Sequence, residues 1–154
     1  MLWSDDKLIN KINNYFDDSK FDAIVVNRSP CFGICPFNFT YLDRKGNFYF
    51  KNLAYNTISS DISTKLDKNK TNTLFSIIDK IDFIKHKDNY FRAVTDNQTN
   101  TISFFKNGKI IKTITTYADC PVDLKEAINE ISYAYQNVPE ENDPRRIGGS
   151  GNVR

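Results

Sequence analysis

Two cysteines in one short loop are the residues whose type and spacing first suggest chemistry. Cys31 and Cys35 are separated by three residues in segment 30–36, which reads Pro-Cys-Phe-Gly-Ile-Cys-Pro. Its two prolines fix φ and Gly33 permits a tight reversal, so the two sulfur atoms are expected to lie close together. Four interpretations stay open: buried structural thiols, a disulfide, half of a metal site, or a redox or nucleophilic thiol. Structural thiols are favoured, because free cysteine is among the most buried residue types.

The metal interpretation needs further ligands for Cys31 and Cys35. Cys120 and the single histidine, His86, would complete a Cys₃His set. The sequence has no second closely spaced pair of ligands, so neither a metal nor another cofactor is predicted. Cys120 precedes a predicted helix, where a thiol pKa can be lowered. His86 follows an amphipathic helix and precedes a lysine, which favours an exposed, non-catalytic imidazole.

Composition limits the classes of function that need to be considered. The chain has 154 residues, 40% of them hydrophobic, which predicts one packed core. The 21 Lys and Arg residues nearly balance 19 Asp and Glu residues, so no nucleic-acid partner is expected. No apolar run approaches the roughly 20 residues of a membrane span, so no membrane partner is expected. Without the features of a secretory signal at the N-terminus, we expect a cytoplasmic protein.

The hydrophobic pattern in the first half predicts a helix, a strand and a hairpin. Residues 1–20 have helical spacing after an acidic start, and 23–27 form a β-branched apolar run typical of a buried strand. Aromatic residues at 37, 39 and 41 alternate with polar ones, which indicates a half-buried strand. Gly46 marks the turn to its partner at 48–50. Residues 51–70 are polar and aperiodic, so we expect a long loop there.

The second half repeats the combination of helix and hairpin. Thr71-Asn72-Thr73 is expected to cap a helix whose apolar residues continue to Ile81. A strand is predicted near 91–95, and Asn107-Gly108 predicts a type I′ hairpin turn. A third helix is expected from Cys120-Pro121 onward.

These elements predict an α+β fold. The antiparallel sheet is built from two hairpins plus an extra strand, with the helices packed mainly on one face. The predicted organisation is an N-terminal helix over 1–20, the α+β domain over 21–137 and a disordered tail over 138–154.

Residues 28–36, which read Arg-Ser-Pro-Cys-Phe-Gly-Ile-Cys-Pro, carry a family resemblance. The run resembles the opening of a bacterial domain-of-unknown-function family marked by an Arg-x-x-Cys-Phe-Gly-x-Cys-Pro loop, and the resemblance extends over residues 22–135. Its later landmarks here are Gly46, Tyr90, Thr95-Asp96, Asn107-Gly108-Lys109, Tyr117 and Pro121-x-x-Leu124. The resemblance implies an α+β domain without an established activity. We therefore consider as binding residues Arg28, Cys31, Gly33, Cys35, Tyr90, Thr95 and Asp96.

The preferred prediction is a non-enzymatic binding or interaction module with a structural Cys-x3-Cys loop, because the sequence contains no complete catalytic set. Its partner would be a protein or a small molecule, and a homo-oligomer is also open. The alternative is a thiol redox or metal-binding site centred on Cys31, Cys35 and Cys120. Thr95-Asp96-Asn97 and the nearby Tyr90 form a candidate polar cluster, although Asp and Asn in such loops more often satisfy their own turns than bind ligands.

Overall fold

The computed structural model describes residues 21–138. The strands in this part are β1 (Ala23–Arg28), β2 (Phe37–Asp43), β3 (Asn47–Ala54), β4 (Ile62–Lys65), β5 (Asn89–Phe91), β6 (Thr99–Lys106) and β7 (Lys109–Tyr117). The helices are α1 (Lys68–Ile78), α2 (Val122–Ser132) and a 3₁₀ helix (Ala134–Asn137). The helix predicted over 1–20, and all but the first residue of the tail predicted over 138–154, lie outside the described residues.

All seven strands form one sheet in the order β4-β3-β2-β1-β6-β7-β5. Neighbouring strands are antiparallel except β5, which runs parallel to β7. The described part is therefore α+β with a mainly antiparallel sheet, and strands dominate it. The prediction of two hairpins plus one extra strand gives five strands, two fewer than the described sheet contains.

The segment predicted as a long loop over 51–70 contains the end of β3, the whole of β4 and the start of α1. β3 continues to Ala54, and β4 pairs with it as a short edge strand. The helix cap was also placed too late, because Asp67 accepts a hydrogen bond from the Lys70 N–H at 2.8 Å and α1 begins at Lys68. The first turn of α1 is polar, so it has no apolar period to reveal it. Ile81 lies beyond the end of α1 but is buried.

The core covers one face of the sheet. Ile24 of β1 is fully buried and pairs with Leu42 of β2 on one side and Phe104 of β6 on the other. In β2 the buried side chains are Asn38, Thr40 and Leu42. The aromatic side chains of β2 are only half-buried, so the alternation predicted the strand although the core lies on the other side.

This core-facing surface becomes polar at one end of the sheet. Arg28, the last residue of β1, pairs with Asn38 of β2 and with Asn100 of β6. Asn100 in turn pairs with Thr116 of β7. Side chains of directly paired residues are near neighbours, so these four polar groups lie side by side. α2, which follows Pro121, packs against β1 and β2.

Candidate functional site

The structure joins Cys31 and Cys35 in a disulfide, with 2.03 Å between the two sulfur atoms. Both residues are partly exposed. The favoured interpretation of two free, buried thiols was therefore wrong, and one of the alternatives left open is found instead. Between them, the side chains of Phe32 and Ile34 are 93% and 80% exposed. Gly33 does not adopt a positive φ and a Cβ there would meet nothing within 4 Å, so the loop does not depend on glycine at this position.

Two side chains from the segment before β6 hold this disulfide loop. A carboxylate oxygen of Asp96 accepts a hydrogen bond from the Phe32 N–H at 2.8 Å. The Gln98 Nε2 group donates to the carbonyl of Ser29 at 2.8 Å and also to the carbonyl of Pro36. The structure thus brings the predicted Asp96 to the cysteine loop. No local sequence signal pointed to Gln98, because its partners lie more than 60 positions earlier in the chain.

Gln98 also connects the loop to Arg28. The Arg28 Nη2 group donates to Gln98 Oε1 at 3.1 Å, and the guanidinium lies over the ring of Tyr133, 5.3 Å from its centroid. Arg28 Nε and Nη1 are shielded from solvent, and neither has a hydrogen-bond partner within residues 21–138. No carboxylate in that part of the chain forms an ion pair with Arg28. Two nitrogens of this cation thus lack an acceptor among the described residues, and the cation has no counter-charge there.

Arg28 lines a cleft of about 400 Å³ at the polar end of the sheet, which we call the Arg28 cleft. Arg92 and Lys125 add two further cations to its lining, against the single carboxylate of Asp119. Asn100 also lines it, and its Oδ1 atom is buried without a partner among the described residues.

The edge of the Arg28 cleft contains a strained backbone position. Ala118 has a φ of 62°, a conformation that is rare for a residue other than glycine, and its carbonyl accepts a hydrogen bond from Arg92 Nη2 at 2.6 Å. Strained positions of this kind cluster at functional sites.

Cys120 lies in the same cleft but is not activated there. Burial raises the pKa of the Cys120 thiol, and the hydrogen bond with Thr116 and the charge of Lys125 offset this only in part. The expectation of a lowered thiol pKa was therefore wrong. Over residues 21–138, no three His, Cys, Asp or Glu side chains are grouped so that they could hold a metal ion. The set of Cys31, Cys35, His86 and Cys120 is thus not assembled.

His86 and Tyr90 belong to a separate cluster. His86 Nδ1 lies 2.8 Å from the Tyr90 hydroxyl, and His86 Nε2 lies 2.9 Å from an Asp123 carboxylate oxygen. The His86 side chain is only 13% exposed, so the expectation of an exposed imidazole was wrong. Tyr90 does not line the Arg28 cleft, and neither does Thr95, whose side chain is exposed.

A second pocket of about 310 Å³ adjoins the disulfide loop, and we call it the Tyr117 pocket. Tyr117 stacks on Phe91 with 5.5 Å between ring centroids, and its hydroxyl donates to the Val94 carbonyl at 2.9 Å. Asn97 lines both the Tyr117 pocket and the Arg28 cleft. The six residues that line the Tyr117 pocket are Pro30, Cys31, Phe32, Asp96, Asn97 and Tyr117.

The fold and this site define a small α+β domain with a basic cleft beside a disulfide loop. A protein family described as a domain of unknown function, DUF6438, matches residues 22–135, and the chain belongs to this family. The match confirms the membership in a domain-of-unknown-function family that the sequence predicted. Neither a curated protein nor a solved structure matches the chain. In the described part of the chain, no helix has the length and apolar character to cross a membrane.

Proposed function

We propose that this domain is a non-enzymatic binding module whose Arg28 cleft holds the oxyanion of a small molecule, a carboxylate or a phosphate. The observation that carries the proposal is the shielded guanidinium of Arg28, which has one hydrogen bond and no counter-charge among the described residues. Burying a charge without a partner costs several kcal/mol even after relaxation. A bound oxyanion would supply both the missing charge and the missing acceptors.

The chemistry of arginine favours this class of ligand. The planar guanidinium presents several donors in a fixed geometry that matches carboxylate and phosphate, and such charge-assisted bonds are stronger than neutral ones. Arg92 and Lys125 line the same cleft and are exposed, so their charges would attract an anion toward Arg28. Since Nε and Nη1 are shielded without ligand, binding includes a small movement of the side chains around them.

The disulfide loop supports the site in this proposal. Gln98 bonds to carbonyls on both sides of the loop and to Arg28, so the loop and the guanidinium share one positioning side chain. Cys31, Cys35 and Asp96 therefore act on binding through the shape of the loop, whereas that shape does not require Gly33. We also propose that the Arg-x-x-Cys-Phe-Gly-x-Cys-Pro loop marks the family as a whole and that the protein comes from a bacterium.

A thiol redox function is the second candidate, because the Cys31–Cys35 disulfide lies at the surface. Cytoplasmic location stays a prediction, and disulfides persist mainly in oxidising compartments. Alkylation of freshly lysed cells followed by mass measurement gives the redox state. A mixture of thiol and disulfide in the cell would favour the redox candidate, and a fully formed disulfide favours a structural loop.

Thermal unfolding with added anions tests the proposed function. Acetate and inorganic phosphate are added at constant ionic strength to the wild type, Arg28→Met and Lys109→Met. The last variant removes the same charge from the opposite end of the β6–β7 hairpin, where Lys109 is exposed. A ligand at tenfold its Kd adds about 1.4 kcal/mol, or a rise in Tm of a few degrees. We expect this rise in the wild type and Lys109→Met only. An equal rise in Arg28→Met would refute the proposal.

A further inference from the structure

We infer that two copies of this chain pair through one edge of the sheet and form a dimer with a two-fold axis and a continuous sheet. Within the described residues, β5 covers β7 only along 115–117, so the segment 109–114 has a neighbouring strand on one side alone, which is β6. We call this segment the β7 edge. None of its residues lines the Arg28 cleft, so this surface is separate from the proposed anion site.

The β7 edge presents backbone groups that a further strand can pair with. The Thr115 N–H donates to the Asp88 carbonyl, and the Tyr117 carbonyl accepts from the Arg92 N–H, so the backbone groups of these two β7 residues point away from β6. Because this direction alternates along a strand, the backbone groups of Thr113 point the same way. No strand within residues 21–138 pairs with Thr113 on that side. Such unpaired groups are a template for pairing with another chain.

Apolar side chains accompany these backbone groups. A depression of about 460 Å³ lies along the β7 edge, and Ile110 and Ile111 are part of its lining. Their side chains are 57% and 41% exposed. A strand added to the β7 edge would cover both, and burial of apolar surface favours association.

The lysine that could protect this edge is engaged within its own chain. Proteins often discourage edge pairing by placing charged side chains, especially Lys, on the edge strand. Lys112 lies in the middle of the β7 edge, but its side chain is only 17% exposed and its Nζ is 2.8 Å from an Asp88 carboxylate oxygen. Lys112 Nζ also donates to the His86 carbonyl at 2.6 Å. Its charge is therefore balanced and turned away from an incoming strand.

The opposite edge of the sheet is covered by the chain itself. β4 pairs with residues 47–50 of β3, and beyond it the Asp61 carboxylate accepts a hydrogen bond from the Asn52 N–H at 2.8 Å. β4 has only 4 residues, and a very short edge strand is one way in which proteins avoid edge pairing. In the described part of the chain, the β7 edge has no comparable cover.

Charge complementarity favours a second copy as the occupant. A two-fold axis perpendicular to the sheet makes the two β7 strands antiparallel, and with Ile111 opposite its own copy each lysine of β7 lies opposite an uncharged residue. Lys109 then comes close to Asp88 of the partner subunit, because Asp88 borders the far end of the β7 edge through its bond with the Thr115 N–H. Lys109 is exposed and forms no ion pair within residues 21–138. Opposite charges thus meet at both ends of the interface.

Sedimentation velocity of the full chain over a range of concentrations tests the inference. We expect a dimer that dissociates on dilution. Ile111→Lys sets two like charges opposite each other and removes apolar contact, so it should weaken the dimer about tenfold or more. Thr113→Pro removes the outward N–H, which an edge strand tolerates, and should also weaken the dimer. Leu53→Lys is the matched control, because Leu53 is 44% exposed in β3, away from the β7 edge.

Charge reversal tests whether the occupant is a second copy in this register. Lys109→Glu should weaken the dimer several-fold, because the new carboxylate faces Asp88 of the partner subunit. Lys65→Glu makes the same change on β4 and should leave the dimer unchanged, since Lys65 is exposed at the other edge of the sheet. Equal effects of the two reversals would overturn the proposed register.

The remaining outcomes decide the inference itself. A wild type that stays monomeric at every concentration overturns it and would leave an extended segment of another protein as the occupant. A dimer that persists in both Ile111→Lys and Thr113→Pro, or one that Leu53→Lys weakens as much, places the contact elsewhere. Circular dichroism spectra identical to that of the wild type show that the variants fold.

Discussion

Two arginines at opposite ends of the sheet show how the surroundings of one residue type decide its role. Arg44, in the turn between β2 and β3, donates from Nε to the Phe21 carbonyl at 2.8 Å and from both terminal nitrogens to the Asp79 carboxylate at 3.1 and 2.8 Å. It also lies over the rings of Phe21 and Phe75, 4.6 Å from each centroid. Every nitrogen of its guanidinium has a partner.

Arg28 also lies against an aromatic ring, but it lacks a carboxylate partner and has only one hydrogen bond among the described residues. It lies over Tyr133 and donates one hydrogen bond to Gln98, while two of its nitrogens have no partner among residues 21–138. The protein completes the interactions of Arg44 and leaves those of Arg28 incomplete beside a cleft. These contacts indicate that Arg44 stabilises the fold, and they are the basis of our proposal that Arg28 binds a ligand.

The largest expected effect comes from replacing each arginine by methionine. Arg44→Met should lower the free energy of unfolding by about 2–3 kcal/mol, because it removes three hydrogen bonds of a charged group and two cation–π contacts. Arg28→Met should stay within about 0.5 kcal/mol of the wild type or exceed it, since removing an unpaired shielded charge relieves its desolvation cost. Urea titrations measure both values. Equal losses in the two variants would remove the distinction.

Loss of the disulfide should have a smaller effect on stability. The bond closes a short loop with a sequence separation of 4, so Cys31→Ser/Cys35→Ser should lose at most about 2 kcal/mol. Gln98 and Asp96 still hold the loop, so acetate affinity should change by less than about threefold. Cys120→Ser is the control for loss of a thiol. If the binding free energy of acetate falls by more than the free energy of unfolding does, the loop binds the ligand directly.

Asn100→Asp should make the Arg28 end resemble the Arg44 end. Asn100 pairs directly with Arg28 across β1 and β6, so the new carboxylate would supply the missing counter-charge. We expect anion affinity to fall about tenfold, about 1.4 kcal/mol, because the ligand then competes with a built-in partner. Asn129→Asp adds the same charge elsewhere in the lining and serves as the control. The same loss in both variants would indicate general repulsion rather than pairing with Arg28.

Acid should lower the free energy of unfolding through the Arg44 end of the sheet, and this is the smallest of the expected effects. Burial acts to raise the pKa of Asp43, but hydrogen bonds from Asn47, Tyr41 and the Lys45 N–H outweigh it and the pKa lies below its usual value. A lowered folded-state pKa stabilises the protein above about pH 4 and the contribution is lost as the pH falls further. Unfolding measured from pH 6 to 2 should show this decline, with a shallower slope in Asp43→Asn. An unchanged slope would contradict the assignment.

Some acid sensitivity should remain in Asp43→Asn. The hydrogen bond from the Asn52 N–H lowers the pKa of Asp61, which also pairs with Lys51 at 3.2 Å. Asp61 therefore contributes in the same direction over the same pH range.

The sequence predicted the parts of the fold that depend on near neighbours. Asn107 and Gly108 both adopt positive φ, as expected from the turn, and β6 pairs with β7 across them. The apolar run over 23–27 became the central strand β1. β4 was missed because it has only 4 residues and one buried apolar side chain, Ile62, too little to form a period.

The cleft could not be predicted in the same way. Arg28 meets Gln98 and Asn100 only because β1 pairs with β6, a register set between segments about 70 positions apart. The alternation in a strand gives the two faces but does not tell which strands become neighbours. The spacing of Cys31 and Cys35 likewise allowed a disulfide without selecting it, because the bond depends on the conformation of the loop.

The side-chain Nε–Hε signals of Arg28 and Arg44 in a ¹H–¹⁵N NMR spectrum test the central claim most directly. Arg28→Met assigns the Arg28 signal, and the protein is titrated with acetate at constant ionic strength. We predict that the Arg28 signal shifts and saturates while the Arg44 signal stays in place. An Arg28 signal that does not move, or that shifts linearly together with the Arg44 signal, would contradict an anion site at Arg28.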